Sequence, residues 1–135
     1  GIAFKDFTTV IYCHPMAAII EEIALCMHGG VSPELPNLNQ INQIRRPLVV
    51  PDAGLAWDIL WSDPEENSCG WMQSQRGVSY TFGEDVVRRA CENLKIDVVL
   101  RAHQVVVNGY AFFVEMRLVT IVSASNYCGE FTMVG

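Results

Sequence analysis

Ile96-Asp97-Val98-Val99-Leu100-Arg101-Ala102-His103-Gln104 is an apolar run that stops at an arginine and a histidine. About five residues rich in valine and isoleucine, with no proline or glycine inside, predict a β-strand buried on both faces. His103 then stands at the carboxyl end of that strand, the place where ligands collect in α/β proteins. A ring nitrogen there can serve a metal or a substrate, and the competing reading is a hydrogen-bonded loop histidine. Upstream, Ile23-Ala24-Leu25-Cys26-Met27-His28-Gly29-Gly30 repeats the plan: an apolar run, a terminal histidine, then two glycines that let the backbone turn or approach closely. Two strands are therefore expected to end in histidines.

The chain of 135 residues has the length of one domain. Half of it is apolar, enough to leave some apolar surface for another body to cover. A formal charge of −6 argues against nucleic acid as a partner. No run approaches the roughly 18 to 20 apolar residues of a spanning helix, so a membrane is not expected and a soluble chain is. Gly1 to Asp6 lack a basic start with an apolar block, and Gly1 is no initiator methionine, so the chain reads as a fragment. The five cysteines, Cys13, Cys26, Cys69, Cys91 and Cys128, include no Cys-x-x-Cys pair. Cys26 and Cys91 fit reduced core residues of a cytoplasmic or nuclear protein.

Helical spacing predicts a helix over Phe4 to Tyr12, followed by a strand at Met16 to Ile20 that leads into the one ending at His28. Ser32-Pro33 looks like a helix start, Asn39 to Ile44 a short helix, and Leu55 to Trp61 a helix with Leu55, Ile59 and Leu60 inward. Trp61 to Thr81 reads as a long ordered loop, and Gly83 to Leu94 as an amphipathic helix with acids in its first turn. Asn108-Gly109, between Val105-Val106-Val107 and Tyr110-Ala111-Phe112-Phe113, predicts a hairpin turn. Arg117 to Val122 gives a further strand that runs into the polar segment Ser123 to Glu130.

Four segments thus carry polar groups after an apolar run or within the glycine-bearing loop: His28-Gly29-Gly30, Arg76-Gly77, Arg101-Ala102-His103-Gln104 and Asn126-Tyr127. Imidazoles bind divalent metals, a guanidinium fits phosphate oxygens, and a phenol adds one hydrogen bond. Together these groups suggest phosphate-ester chemistry at a metal.

The strings Cys26-Met27-His28-Gly29-Gly30-Val31-Ser32-Pro33-Glu34-Leu35, Leu60-Trp61-Ser62-Asp63-Pro64, Arg76-Gly77-Val78-Ser79-Tyr80-Thr81-Phe82-Gly83, Arg101-Ala102-His103-Gln104-Val105-Val106 and Ser123-Ala124-Ser125-Asn126-Tyr127-Cys128-Gly129-Glu130-Phe131 resemble the carboxyl-terminal half of the phosphoprotein phosphatase family of serine/threonine phosphatases. The resemblance implies an α/β fold, a mixed β-sandwich flanked by helices, of which residues 1–135 would be the carboxyl-terminal part of one metallophosphoesterase, or calcineurin-like, domain. It implies two divalent ions, manganese or iron with zinc, holding a hydroxide that attacks phosphorus. His28 and His103 would be ligands of one ion, Arg76 and Tyr127 would bind the substrate phosphate, and Asp63 would shape the substrate groove. Asp63 serves equally as a turn acid beside Pro64. Cys128 matches a thiol that the toxin microcystin attacks. Phosphoserine and phosphothreonine proteins would be substrates, regulatory subunits would be partners, and the location would be cytoplasmic or nuclear.

Two departures stand out. Ser125 replaces the family's usual proline, which removes a fixed φ from the loop that carries Tyr127. Gly-Asp-x-His, Gly-Asp-x-x-Asp-Arg-Gly and Gly-Asn-His-Glu are absent, and with them the bridging carboxylate and the general-acid histidine. No complete catalytic set is therefore expected in this chain, which reads as inactive by itself. The alternatives are a non-catalytic interaction module and a truncated gene product.

Overall fold

In the computed structural model, which describes residues 2–124 and 126–129 with side chains from residue 4 onward, the chain runs α1 (Ile2–Tyr12), β1 (Ala17–Ile20), β2 (Ala24–Met27), α2 (Asn39–Asn42), α3 (Leu55–Trp61), β3 (Asp63–Pro64), β4 (Trp71–Gln73), β5 (Tyr80–Phe82), α4 (Glu84–Leu94), β6 (Val98–Arg101), β7 (Tyr110–Phe113) and β8 (Leu118–Ile121). Five strands make one sheet in the order β1-β2-β6-β8-β7, and three make a small second sheet, β3-β5-β4. β2, β6 and β8 are parallel, with Cys26 opposite Leu100 and Leu100 opposite Val119. β1 and β7 pair antiparallel at the two edges. Parallel pairing brings the carboxyl ends of β2, β6 and β8 to one border of the sheet, which is where His28 and His103 follow their strands.

Alternation along the strands puts Leu25, Val99 and Leu118 on one face, where they pack with Ile59, Phe82, Val87, Cys91 and Leu94 in the core. α4 supplies much of that cover. Its buried residues Val86, Val87, Cys91 and Leu94 share one side, and Glu84 and Asp85 lie in its first turn. It ends with Lys95 in the left-handed region at φ 56°, while Ile96 N donates to Cys91 O and Lys95 N to Glu92 O. These bonds satisfy carbonyls that a helix end leaves open.

Among the described residues, little covers the other face of the sheet. Cys26, Leu100 and Val119 are only half-buried there, and Phe112 and Ile121 are 57% and 46% exposed. β6 is thus covered on one face, although its composition predicts two. Apolar residues on both sides of a strand record what can be buried, not which face the fold buries. α1 behaves likewise: it forms where its spacing predicts, yet Phe4, Phe7, Val10 and Ile11 are each at least 50% exposed.

Three local expectations are corrected. Ser32 to Leu35 is a turn and no helix, because the Ser32 hydroxyl accepts from Glu34 N and donates to Asp58 Oδ2 at 2.6 Å. Trp61 to Thr81 is no simple loop, since it builds β3, β4 and the start of β5, with Trp71 against Tyr80 and Phe82. The hairpin joins β7 to β8 through Val114 to Arg117, and Val105 to Val107 form no strand. β6 is flanked by β2 and β8, so no free side remains for a strand following directly from it. Within α3 the buried residues are Ala56, Asp58 and Ile59, with Leu55 and Leu60 half-buried.

Gly29 is where the end of β2 meets the end of α3. Its N–H donates to Ile59 O at 2.7 Å, and a Cβ there would lie 2.6 Å from the Leu60 and Trp61 backbone. We expect Gly29→Ala to destabilise the fold by about 1–3 kcal/mol, read as a lower urea midpoint with an unchanged slope.

Candidate metal and phosphate site

Arg101 is the last residue of β6, and its side chain is fully enclosed on the covered face. A guanidinium has five donors and no apolar neighbour can satisfy them, so the surrounding loop ends must. Nε donates to Gly29 O; Nη2 donates to Asp63 Oδ1 at 2.7 Å and Ser62 O at 3.2 Å; Nη1 donates to Gln104 Oε1 at 2.9 Å. Burial pulls the Arg101 pKa down, and the Asp63 carboxylate opposes that by favouring the charged form.

Asp63 begins β3 and is itself buried. Its second oxygen, Oδ2, accepts from Arg76 Nε at 2.6 Å. Arg76 sits in the turn between β4 and β5, which Gly77 permits at φ 76° and in which Gly77 N donates to Ser74 O. Arg76 Nη2 reaches His103 O at 3.3 Å, and its Nη1 has no partner among the described residues. One buried carboxylate therefore holds two arginines, one structural and one facing the groove.

His28 Nε2 and His103 Nδ1 are 3.0 Å apart, with ring centroids separated by 4.8 Å. Nitrogen donors lie about 2.0–2.1 Å from an ion such as zinc, so two adjacent donors on one ion stand about 3 Å apart. The pair fits that role, and without an ion one neutral ring donates to the other across the same gap. Among the described residues, no group of three His, Cys, Asp or Glu side chains converges to hold a metal. Burial lowers the pKa of His28, the Arg101 charge adds to this, and Asp63 opposes it. His103 is lowered to about 4, first by burial, with Asp63 opposing and Arg76, His28 and Arg101 reinforcing. Both rings are thus kept in the neutral form that ligates metals. The ring of Trp61 stands at 89° to that of His103, with centroids 5.2 Å apart.

A groove of about 580 Å³ opens beside the histidines, lined in part by Glu65, Glu66, Arg76, His103, Phe112 and Tyr127. A second hollow of about 310 Å³ joins His28 and His103 to Tyr127. The structure thus places His28, His103, Arg76 and Tyr127 around these two adjoining hollows. Asp63 lies beneath the groove rather than in its wall, and acts on it through Arg76. Cys128 is exposed, at φ 56°. Ser125 lies outside the described residues. Sequence reasoning placed Arg101 and Gln104 in a segment of the site but gave neither a role. The available signal was an arginine closing a core strand, a residue almost never fully buried unless paired.

Residues 1–107 match the family model for calcineurin-like phosphoesterases. A solved structure of a serine/threonine protein phosphatase from Saccharomyces cerevisiae, described as similar to human phosphatase PP5, is 34% identical with a TM-score of 0.85 over 93% of this chain. The match spans 39% of that yeast chain, so these residues correspond to well under half of the relative's length.

Two outcomes follow from this geometry. Arg101→Met leaves Asp63 buried without its enclosed partner and is expected to cost about 3–5 kcal/mol in denaturant unfolding. In the metal-free chain, NMR titration of His103 is expected to show a midpoint near 4. Because the unfolded ring binds its proton near pH 6.5, the unfolded state holds more protons between those values. Stability should therefore fall as pH drops through that window.

Proposed function

Because the chain belongs to the calcineurin-like phosphoesterase family and carries part of its fold, we propose that its site serves hydrolysis of phosphoserine and phosphothreonine in proteins. The observation that carries this reading is the imidazole pair, 3.0 Å apart, beside an arginine that Asp63 holds at 2.6 Å. Paired histidines alone suit many metals, and a guanidinium fixed next to them selects an anionic oxygen ligand.

His28 Nε2 and His103 Nδ1 would hold one divalent ion, which when bound acidifies water and neutralises charge on the phosphoryl group. Arg76 orients the phosphate from the groove wall, with Nε and Nη2 committed to Asp63 and His103 O. Restricting the guanidinium in this way lowers the entropy lost when phosphate binds. The Tyr127 hydroxyl supplies a further hydrogen bond at the groove mouth. Among the described residues no third His, Cys, Asp or Glu joins the two imidazoles, and the Gly-Asn-His-Glu string that carries the family's general-acid histidine does not occur in the sequence. We therefore infer that the chain by itself binds phosphate without turning over.

Within the family we propose a kinship with the catalytic subunit of protein phosphatase 1, which the motif strings resemble and which recruits regulators along a hydrophobic groove. A second reading, an interaction module, draws support from the exposed Tyr110 and Phe112 of β7, whose rings are 5.4 Å apart. A cytoplasmic or nuclear location belongs to both readings.

Titration calorimetry of inorganic phosphate with and without Mn²⁺ tests the site. We expect phosphate binding that needs Mn²⁺, weakens at least about tenfold in Arg76→Ala and disappears in His103→Ala. Phosphate binding indifferent to Mn²⁺ and to both substitutions would remove the basis for the assignment. Phosphopeptide turnover that His103→Ala abolishes would overturn the inference of inactivity.

A further inference from the structure

His103 has φ 65°, and Gln104 N donates to Ala102 O at 2.8 Å. A bond from residue i to i+2 across a residue with positive φ makes a γ-turn of the rare, strained kind. Such a conformation persists only where its surroundings over-determine it. Here the turn is held on both sides. Ala102 N donates to His28 O at 3.0 Å, which ties the front of the turn to the end of β2. Behind it, the Gln104 side chain accepts from Nη1 of Arg101, whose own side chain is completely enclosed. The imidazole of His103 rides on the residue between these two anchors.

We propose that Gln104 is a positioning residue for His103: its side-chain carbonyl, bound to the Arg101 guanidinium, keeps the γ-turn closed and so holds His103 Nδ1 at 3.0 Å from His28 Nε2. The front anchor fixes Ala102 and Arg76 Nη2 reaches His103 O at 3.3 Å from the exposed groove side, yet neither holds Gln104, so His103 could still relax to negative φ by moving Gln104 outward. That relaxation relieves strain and swings the imidazole away from its partner. Arg101 thereby acts on the histidine pair twice, through Gly29 O next to His28 and through Gln104 next to His103. The inference deepens the phosphatase reading and rests on its assignment of these histidines as donors to one ion.

The test uses the whole 135-residue chain. Long-range proton–nitrogen NMR of the metal-free protein reads the tautomer of His103, and visible absorption reads Co²⁺ binding. In the unsubstituted chain we expect a single fixed tautomer. Gln104→Met, similar in size but lacking the carbonyl, should give averaged tautomers and at least about tenfold weaker Co²⁺ binding in a chain that still unfolds cooperatively, at a lower thermal midpoint because Arg101 Nη1 loses its acceptor. Gln104→Glu, whose carboxylate accepts from the same guanidinium, should restore both. If Gln104→Met does not unfold cooperatively, Gln104→Asn, one methylene short of the guanidinium, supplies the same comparison. Wild-type ring spectra in Gln104→Met or Gln104→Asn would overturn the proposal, whatever the metal result. Averaged tautomers in a chain whose unsubstituted form binds no Co²⁺ would uphold the positioning role and sink the metal assignment instead.

Discussion

The fold's polar centre depends on one buried ion pair. Arg101 is enclosed at the end of the middle strand, and Asp63 faces it at 2.7 Å from the first residue of the small sheet. Neither group is tolerable alone in that setting, since an unpaired buried charge costs several kcal/mol. The pair joins the large sheet to the small one at the border where β2 and β6 end. It gains its value from the backbone carbonyls that share the guanidinium, because Gly29 O and Ser62 O belong to two different chain crossings. An apolar pair of equal volume could fill the space. It could not hold three loop ends at fixed distances.

The site's chemistry follows from that constraint. Asp63 has two oxygens and gives one to each arginine, so the arginine of the groove is oriented by the same carboxylate that neutralises the arginine of the core. The imidazoles lie partly out of water, which lowers both pKa values, and the Arg101 charge adds to this at each ring. A neutral pair can turn both facing nitrogens to a cation, and a charged pair at this distance would repel it. Strain is present in the same place. His103 occupies a left-handed conformation in a turn closed on both sides, which is where a structure can store orientation for a ligand.

The distribution of apolar surface explains why so many core-like residues sit in solvent. Leu25, Val99 and Leu118 are covered by α3 and α4, while Cys26, Leu100, Val119 and Phe112 across the same sheet have little over them among the described residues. The site lies at the border between the covered and open faces, where residues from both sheets can reach it.

The sequence by itself determined the elements and the chemistry of their ends. Period and composition located β2, β6, α3 and α4, and histidines following two apolar runs marked the strand ends as a place for a ligand. Motif strings assigned the family, which the match over residues 1–107 bears out. Tertiary structure decided which runs pair and which face is covered. Asn108-Gly109 signalled a hairpin, but β6 already had neighbours on both sides, so the hairpin formed one strand later. The polar stretch after Trp61 became a sheet because Thr81 and Phe82 offered it a partner. Above all, Arg101 looked like the polar end of a strand. Its burial was illegible because the partners that make it tolerable, Asp63 and the carbonyls of Gly29 and Ser62, are at least 38 positions away along the chain and meet it only on folding.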